Sequence, residues 1–228
     1  MEHDQTPGGA RDEARDPIRD EVRGHVSGTG RAVTVDGETG RTMTLRRHYA
    51  ADIADVWQAC TDPERLARWL TPVSGDLRPG GRFQLQGNAG GEILRCEPPR
   101  VLTVSWEAPG GQPVTQVEAE LVAADGGTDL ELRHGGPVDP AFWTQFGPGA
   151  VGIGWDLALY ALGRVLAGAE RPDQTAGPGS APYRELVTGS SQSWQAAAEA
   201  AGIPPAQAKA AADRTTAFYA PPPPEPDG

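Results

Sequence analysis

Apolar residues recur at two different periods along this chain, and the changes of period mark its elements. Over 42–50 (TMTLRRHYA), Met43, Leu45, Arg47 and Tyr49 alternate with polar neighbours, which predicts a strand; 31–35 pairs with it through the Asp36-Gly37 turn. Asp52 then stands at a helix cap with Asp55 three residues on, and Ile53, Val56, Trp57 and Cys60 form the apolar face of a short helix. Asp62-Pro63 repeats the signal, a cap followed by proline at the first helical position, with Leu66, Trp69 and Leu70 facing inward. From there the period becomes two. Phe83 and Leu85, Leu94 and Cys96, Leu102, Val104 and Trp106, Val117, Ala119 and Leu121, and Leu130 and Leu132 alternate between turns rich in Gly and Pro, which predicts an antiparallel meander.

After Gly135-Gly136 the period returns to helical. Pro148 opens a long helix to about Ala167, roughly 30 Å at 1.5 Å per residue, whose apolar stripe is Val151, Trp155, Leu159, Leu162 and Leu166. One sheet and one long helix bury their apolar surfaces together when the sheet curls around the helix. Ile153, Leu157, Ala161 and Val165 give that helix a second apolar face. Two alanine-rich helices are expected beyond it, at 183–201 and 205–219, and alone they are marginal in water. Docking on this second face is the preferred reading; a second copy of the chain or a protein partner is the alternative.

The remaining segments have no such pattern. Residues 1–30 mix Asp, Glu, Arg, Gly and Pro without apolar periodicity and read as a disordered acidic arm, and 221–228 (PPPPEPDG) reads as a disordered Pro-rich tail. A segment rich in Gly, Pro and Ser, 171–182, separates a main domain over 31–170 from a helical extension over 181–220. The formal charge of -11 argues against nucleic acid and anionic membrane as partners, because both require clustered Lys and Arg. Cys60 and Cys96 form no CxxC pair and read as buried thiols in a reducing compartment. The N-terminal MEHDQTPGGARDEARDPIRD has no apolar core for export, so the expected location is the cytoplasm.

Four segments together, DPERLARWL, SGDLRPGGRFQLQG, GEILRCEPPRVLTVSWE and GWDLALYALGRVLAG, resemble the SRPBCC, or START-like, superfamily. Within it they are most similar to the branch named after the activator of the heat-shock-protein-90 ATPase, over about 42–168. The resemblance implies an α+β helix-grip fold of the START/Bet v-like kind, a curved antiparallel sheet wrapped around the long C-terminal helix. It also implies a hydrophobic cavity. Carried over position by position, the wall comes from Trp57 and Trp69, from Phe83, Leu85, Leu102, Val104 and Trp106, and from Trp155 and Leu159. Co-chaperones of this name use a separate N-terminal domain, for which the first thirty residues here are too few and too polar.

Three features bear on chemistry. His134 shares the parity of Leu130 and Leu132 and faces inward, as a ligand anchor or acid/base group or as a histidine bonded to backbone at a strand end. Asp156, Tyr160 and Arg164 recur every four residues as a polar strip, read as outward-facing, with a cavity-facing strip as the alternative. GPGAVGIG at 147–154 lacks the Lys-Ser/Thr of a phosphate loop, so Gly149, Gly152 and Gly154 read as close packing. No histidine or cysteine spacing predicts a metal site, and no cofactor is implied. The functional expectation is a domain that binds a small hydrophobic molecule without chemistry of its own. The alternatives are a cyclase- or hydrolase-type enzyme using Asp156, Tyr160 or His134, and a protein-interaction module.

Overall fold

The computed structural model of the chain describes residues 16–169 and 179–222. The expected tail beyond 222, most of the 171–182 linker and the first half of the expected arm lie outside the described residues.

Eight antiparallel strands form one sheet: β1 (Thr29–Asp36), β2 (Gly40–Tyr49), β3 (Val73–Gly75), β4 (Arg82–Leu85), β5 (Gly90–Glu97), β6 (Val101–Trp106), β7 (Thr115–Ala124) and β8 (Gly127–Pro137). Their order is β1-β2-β8-β7-β6-β5-β4-β3, so the meander runs from β3 to β8 and the β1-β2 hairpin closes the other edge. Gly37, with φ at +59°, makes the turn of that hairpin possible. Met43, Leu45 and Tyr49 on β2 and Leu130 and Leu132 on β8 are buried, as their alternation predicts. One strand departs from its pattern. Between Ile93 and Arg95 the β5-β6 register shifts, so Ile93 and Cys96 point inward while Leu94, expected inside, is 47% exposed. An extra residue in a bulge flips the parity of everything on one side of it.

Helices α2 (Ile53–Thr61) and α3 (Pro63–Leu66) cross over between β2 and β3. Asp62 caps α3 by accepting from the Arg65 N–H at 3.0 Å. Asp52 makes no such bond. A one-turn-longer helix, α4 (Pro140–Phe146), which the apolar pattern did not signal, uses the same Asp-Pro start, with Asp139 accepting from the Phe142 N–H at 2.8 Å. The long helix α5 (Gly149–Leu166) lies on the inner face of the sheet. It is long and apolar enough to cross a membrane by composition, but half of that span is buried inside the protein, the position of a core helix.

The arm expected over 1–30 is corrected from Asp16 onward. Pro17–Ser27 forms helix α1, capped by Asp16, and Gly28 leads directly into β1. Its Val22 and His25 are buried, and Val22 packs with Tyr160 of α5 and Leu186 of α6 (Ala181–Ala200). Arg23 and Arg19 pair with Glu185 of α6 at 2.5 and 3.5 Å. Helix α7 (Pro205–Tyr219) then packs on α6 and α4. Both C-terminal helices therefore dock within the chain: α6 lies along α5 at Gly152, Asp156, Leu157 and Tyr160, so that only Leu157 of the expected second face is seen to meet it, and α7 touches only the start of α5. The glycines of α5 permit this approach: a Cβ at Gly152 would stand 2.2 Å from the Trp194 ring of α6, and one at Gly149 would stand 3.1 Å from Thr215 of α7.

Beneath this cover sits the carboxylate of Asp156, with no exposed surface. Arg31 of β1 holds it with two hydrogen bonds, Nη2 to Oδ1 at 2.7 Å and Nε to Oδ2 at 3.1 Å. Ser190 and Trp194 of α6 both donate to Oδ2, the indole N–H at 2.9 Å. The polar strip on α5 does face away from the sheet, but the extension covers it, so it is not a solvated surface. Taking two charges out of water costs several kcal/mol per ion, offset only by good pairing geometry and further hydrogen bonds, and here four donors reach the carboxylate. Asp156→Ala leaves the Arg31 guanidinium buried without a counter-charge, so urea unfolding is expected to show a loss of about 3–5 kcal/mol. A loss below about 1 kcal/mol, the range of a surface substitution, would contradict this role.

Candidate functional site

Between the concave face of the sheet and the sheet-facing side of α5 lies an open-ended cavity of about 170 Å³. Strand alternation supplies its floor: Phe83 and Leu85 from β4, Leu102, Val104 and Trp106 from β6, Val117 and Ala119 from β7, and Leu130 and Leu132 from β8. Helical spacing supplies the roof, since Trp155, Leu159 and Leu162 fall on one side of α5. Cys60, Leu66, Trp69 and Leu70 close one end, and the turn carrying Leu77, Arg78 and Pro79 stands at the rim. Leu77 is 40% exposed there, and Arg78 is held by Asp76 at 2.9 Å with its charge in solvent.

The indoles are fixed from behind. Trp69 donates to the Ala59 carbonyl of α2 at 2.8 Å, which ties the turn after α3 to α2. Trp155 donates to His134 Nδ1 at 2.9 Å, and its ring lies 5.3 Å from that of Trp106. Phe83 stands 6.4 Å from Trp106, so three aromatic rings make a continuous wall. An indole N–H can only donate, so His134 Nδ1 carries no proton and the neutral ring holds its proton on Nε2, 2.8 Å from Thr115 Oγ1. Burial pushes the His134 pKa down to about 4. Burial likewise pushes the Cys60 thiol up to about 12 and raises that of Cys96, so both stay protonated at neutral pH and behave as small apolar groups.

Of the residues expected to line a cavity, Trp69, Phe83, Leu85, Leu102, Val104, Trp106, Trp155 and Leu159 surround this one. Trp57 and His134 do not. Trp57 is buried in the core cluster, and His134 sits behind the Trp155 and Trp106 rings, bonded to side chains rather than to backbone. Asp156 and Tyr160 are on the opposite side of α5. Several lining residues escaped the sequence reading. Val117, Ala119, Leu130 and Leu132 carried the right parity and needed only the sheet order; Ile93 was hidden by the bulge, and Leu77 and Pro79 lie in a turn with no period.

An apolar cavity of roughly 150 Å³ admits a single benzene ring, whereas drug-sized ligands occupy about 300–1,000 Å³. The space therefore matches one ring or a short branched chain, and a larger molecule would have to extend past the turn at Leu77–Pro79. A wider concavity of about 890 Å³ lies outside the sheet, a surface groove between α1 and α6.

Comparison with known proteins places this geometry. The family model described as Activator of Hsp90 ATPase homolog 1-like protein matches residues 50–167. The crystal structure of CalU16 from Micromonospora echinospora is 37% identical, with a TM-score of 0.58, covering 75% of this chain and 98% of that one. Its solution NMR structure is 38% identical, with a TM-score of 0.61 and coverage of 76% and 96%. Protein MLL2253 from Mesorhizobium loti, 21% identical with a TM-score of 0.50, covers 57% of this chain and 99% of that one and shares the fold. The CalU16 match extends well beyond the family segment, so CalU16 shares part of what is added around it. A search of curated proteins finds no match.

The buried imidazole has a consequence for stability. Free histidine titrates near 6.5, so on acidification the unfolded chain binds a proton before His134 in the folded protein does. The contribution of neutral His134 is complete above that value and is lost as pH falls toward about 4. Relative to His134→Gln, the wild-type unfolding free energy should decline by up to about 3 kcal/mol across this window. Equal pH dependence in the two proteins would contradict a buried neutral imidazole.

Proposed function

Because this chain belongs to the Activator of Hsp90 ATPase homolog 1-like family of START-like SRPBCC domains, we propose that its sheet-helix cavity binds a small, flat, apolar molecule without chemistry of its own. One observation carries the reading: the space is walled by three indoles, Phe83 and aliphatic side chains, with Arg78 at its rim as the single charged residue in the wall among the described residues. Such a wall recognises shape and apolar area, offering a flat ligand faces on which to stack. The groups that the enzyme alternative requires are elsewhere. Asp156 is saturated by Arg31, Ser190 and Trp194 on the far side of α5, and both His134 nitrogens are engaged behind the wall. The interaction-module alternative requires a filled interior, and here an open one exists. The two protonated thiols fit a cytoplasmic protein, which we include in the reading.

The residues assigned to binding are Trp69, Phe83, Leu85, Leu102, Val104, Trp106, Trp155 and Leu159, with His134 bonded behind the Trp155 ring and Trp57 left to the core. Benzene and toluene are suitable probes, since each is a single ring of the size that the cavity admits. Titration followed by tryptophan fluorescence should show saturable binding in the micromolar range, weakened about tenfold or more in Ala119→Leu, which fills the cavity floor. No saturable binding of either probe, together with no copurified molecule in native mass spectrometry, would overturn the proposal.

A further inference from the structure

A second concavity, of about 340 Å³, opens on the other side of α5, where that helix ends beside α1 and β2. It is lined by Glu21 and His25 of α1, Arg47 of β2 and Tyr160 and Arg164 of α5, with Leu166 and Ala167 along one wall. These residues hold a concentration of unused hydrogen-bonding capacity. Among the described residues, seven buried side-chain atoms have no well-formed hydrogen bond, and five of them are here: both His25 ring nitrogens, Arg47 Nε, Tyr160 OH and Arg164 Nε. Two of the five have a polar neighbour all the same: Tyr160 OH interacts with Arg164 and Glu21, and His25 Nε2 stands 3.9 Å from Asp156 Oδ1. His25 is 1% exposed and Tyr160 8%. Burying such atoms without a full partner is costly, more so when they are charged.

The charges are also unbalanced. Arg164 is neutralised by Glu21 at 2.8 Å, and Arg31 by Asp156 at 2.7 Å. Arg47 has no carboxylate partner among the described residues. Its Nη1 donates to the His25 carbonyl and to Thr29 Oγ1, both at 3.1 Å, and its guanidinium lies 5.6 Å over the Tyr49 ring. The Nε edge remains free, and that edge of a guanidinium presents the planar fork that pairs with a carboxylate. His25 meets Tyr160 edge-on at a centroid distance of 5.3 Å, so both face the same space.

From this arrangement we infer a second binding site, for a small carboxylic acid: its carboxylate on the Nε edge of Arg47, with His25 and Tyr160 donating to it and its hydrocarbon part along Leu166 and Ala167. Three features oppose an anion there: the Glu21 carboxylate, the carbonyl end of α5, and the Asp156 carboxylate, whose Oδ1 stands 3.9 Å from His25 Nε2. Glu21 is already paired with Arg164 and Asp156 with Arg31, and the field of a helix end falls off within its last turn and contributes less than a half-buried guanidinium gains from a partner. His25 is held neutral, its pKa lowered to about 3 by burial and then by Arg47 and Arg31, so it offers one N–H without adding charge. The site is separate from the sheet-helix cavity and does not depend on what that cavity binds.

The intact protein, labelled for NMR detection of arginine Nε and histidine ring signals, would be titrated with sodium benzoate, sodium acetate and sodium phosphate at constant ionic strength. Saturable shifts at Arg47, His25 and Tyr160 with benzoate or acetate are expected. Tyr160→Phe and Arg47→Gln should each weaken binding by about tenfold. Arg47 also holds α1, so Tyr160→Phe, which deletes one oxygen, tests the site where Arg47→Gln fails to fold. No saturation by about 100 mM benzoate would overturn the site. Phosphate binding as tightly as benzoate would overturn its selectivity, and full binding in folded Tyr160→Phe would overturn its geometry.

Discussion

The bidentate grip of Arg31 on the buried carboxylate of Asp156 organises the outer half of this molecule. Asp156 projects from the middle of α5, Arg31 from the edge strand β1, and Ser190 and Trp194 from α6, so one side chain ties together elements from both ends of the chain. A carboxylate in that position is costly unless it is paired and hydrogen-bonded, and its four donors come together only when β1 and α6 are both in place. The same packing requires glycine at 152, where any side chain would meet the Trp194 ring. Helix propensity alone would favour alanine there. Close approach of the two helices wins because the indole must reach Oδ2.

This arrangement divides α5 into two sides with different work. Trp155, Leu159 and Leu162 face the sheet and shape an apolar cavity; Asp156 and Tyr160 face α1 and α6. The polar chemistry of the helix is therefore withdrawn from the cavity and spent on docking the additions. Outside the family segment, those additions create concave surfaces that a bare helix-grip domain would lack, among them the cleft around Arg47. The binding proposed for the sheet side rests on shape and apolar area. That proposed for the opposite side rests on charge and unsatisfied donors.

Much of the fold was legible because period and turn chemistry are local. The strands from Phe83 to Leu132, the Asp62-Pro63 start of α3 and the sheet-facing stripe of α5 follow from spacing, and the docking of the extension followed from helices too polar to stand alone. Helix α1 was missed because its mean composition is polar, although Asp16-Pro17 repeats the signal used at Asp62-Pro63 and Asp139-Pro140. Its stability comes from Val22 and His25 meeting residues far away in sequence. The bulge at Leu94 reverses parity without any glycine to announce it. His134 and Asp156 were placed on the correct sides of their elements, but their partners Thr115, Trp155, Arg31 and Ser190 are tertiary, and no local pattern encodes them.

The central claim is that the extension is part of the folded unit, locked through Asp156, rather than an appended segment. Native-state amide hydrogen exchange on the intact chain tests it most directly, because it reports the opening free energy of each helix separately. If Asp156 locks α6 onto α5, the central amides of α6 around Ser190 and Trp194 will exchange only through global unfolding, at the same free energy as those of α5. Exchange of α6 at a free energy several kcal/mol below that of α5 would contradict the account.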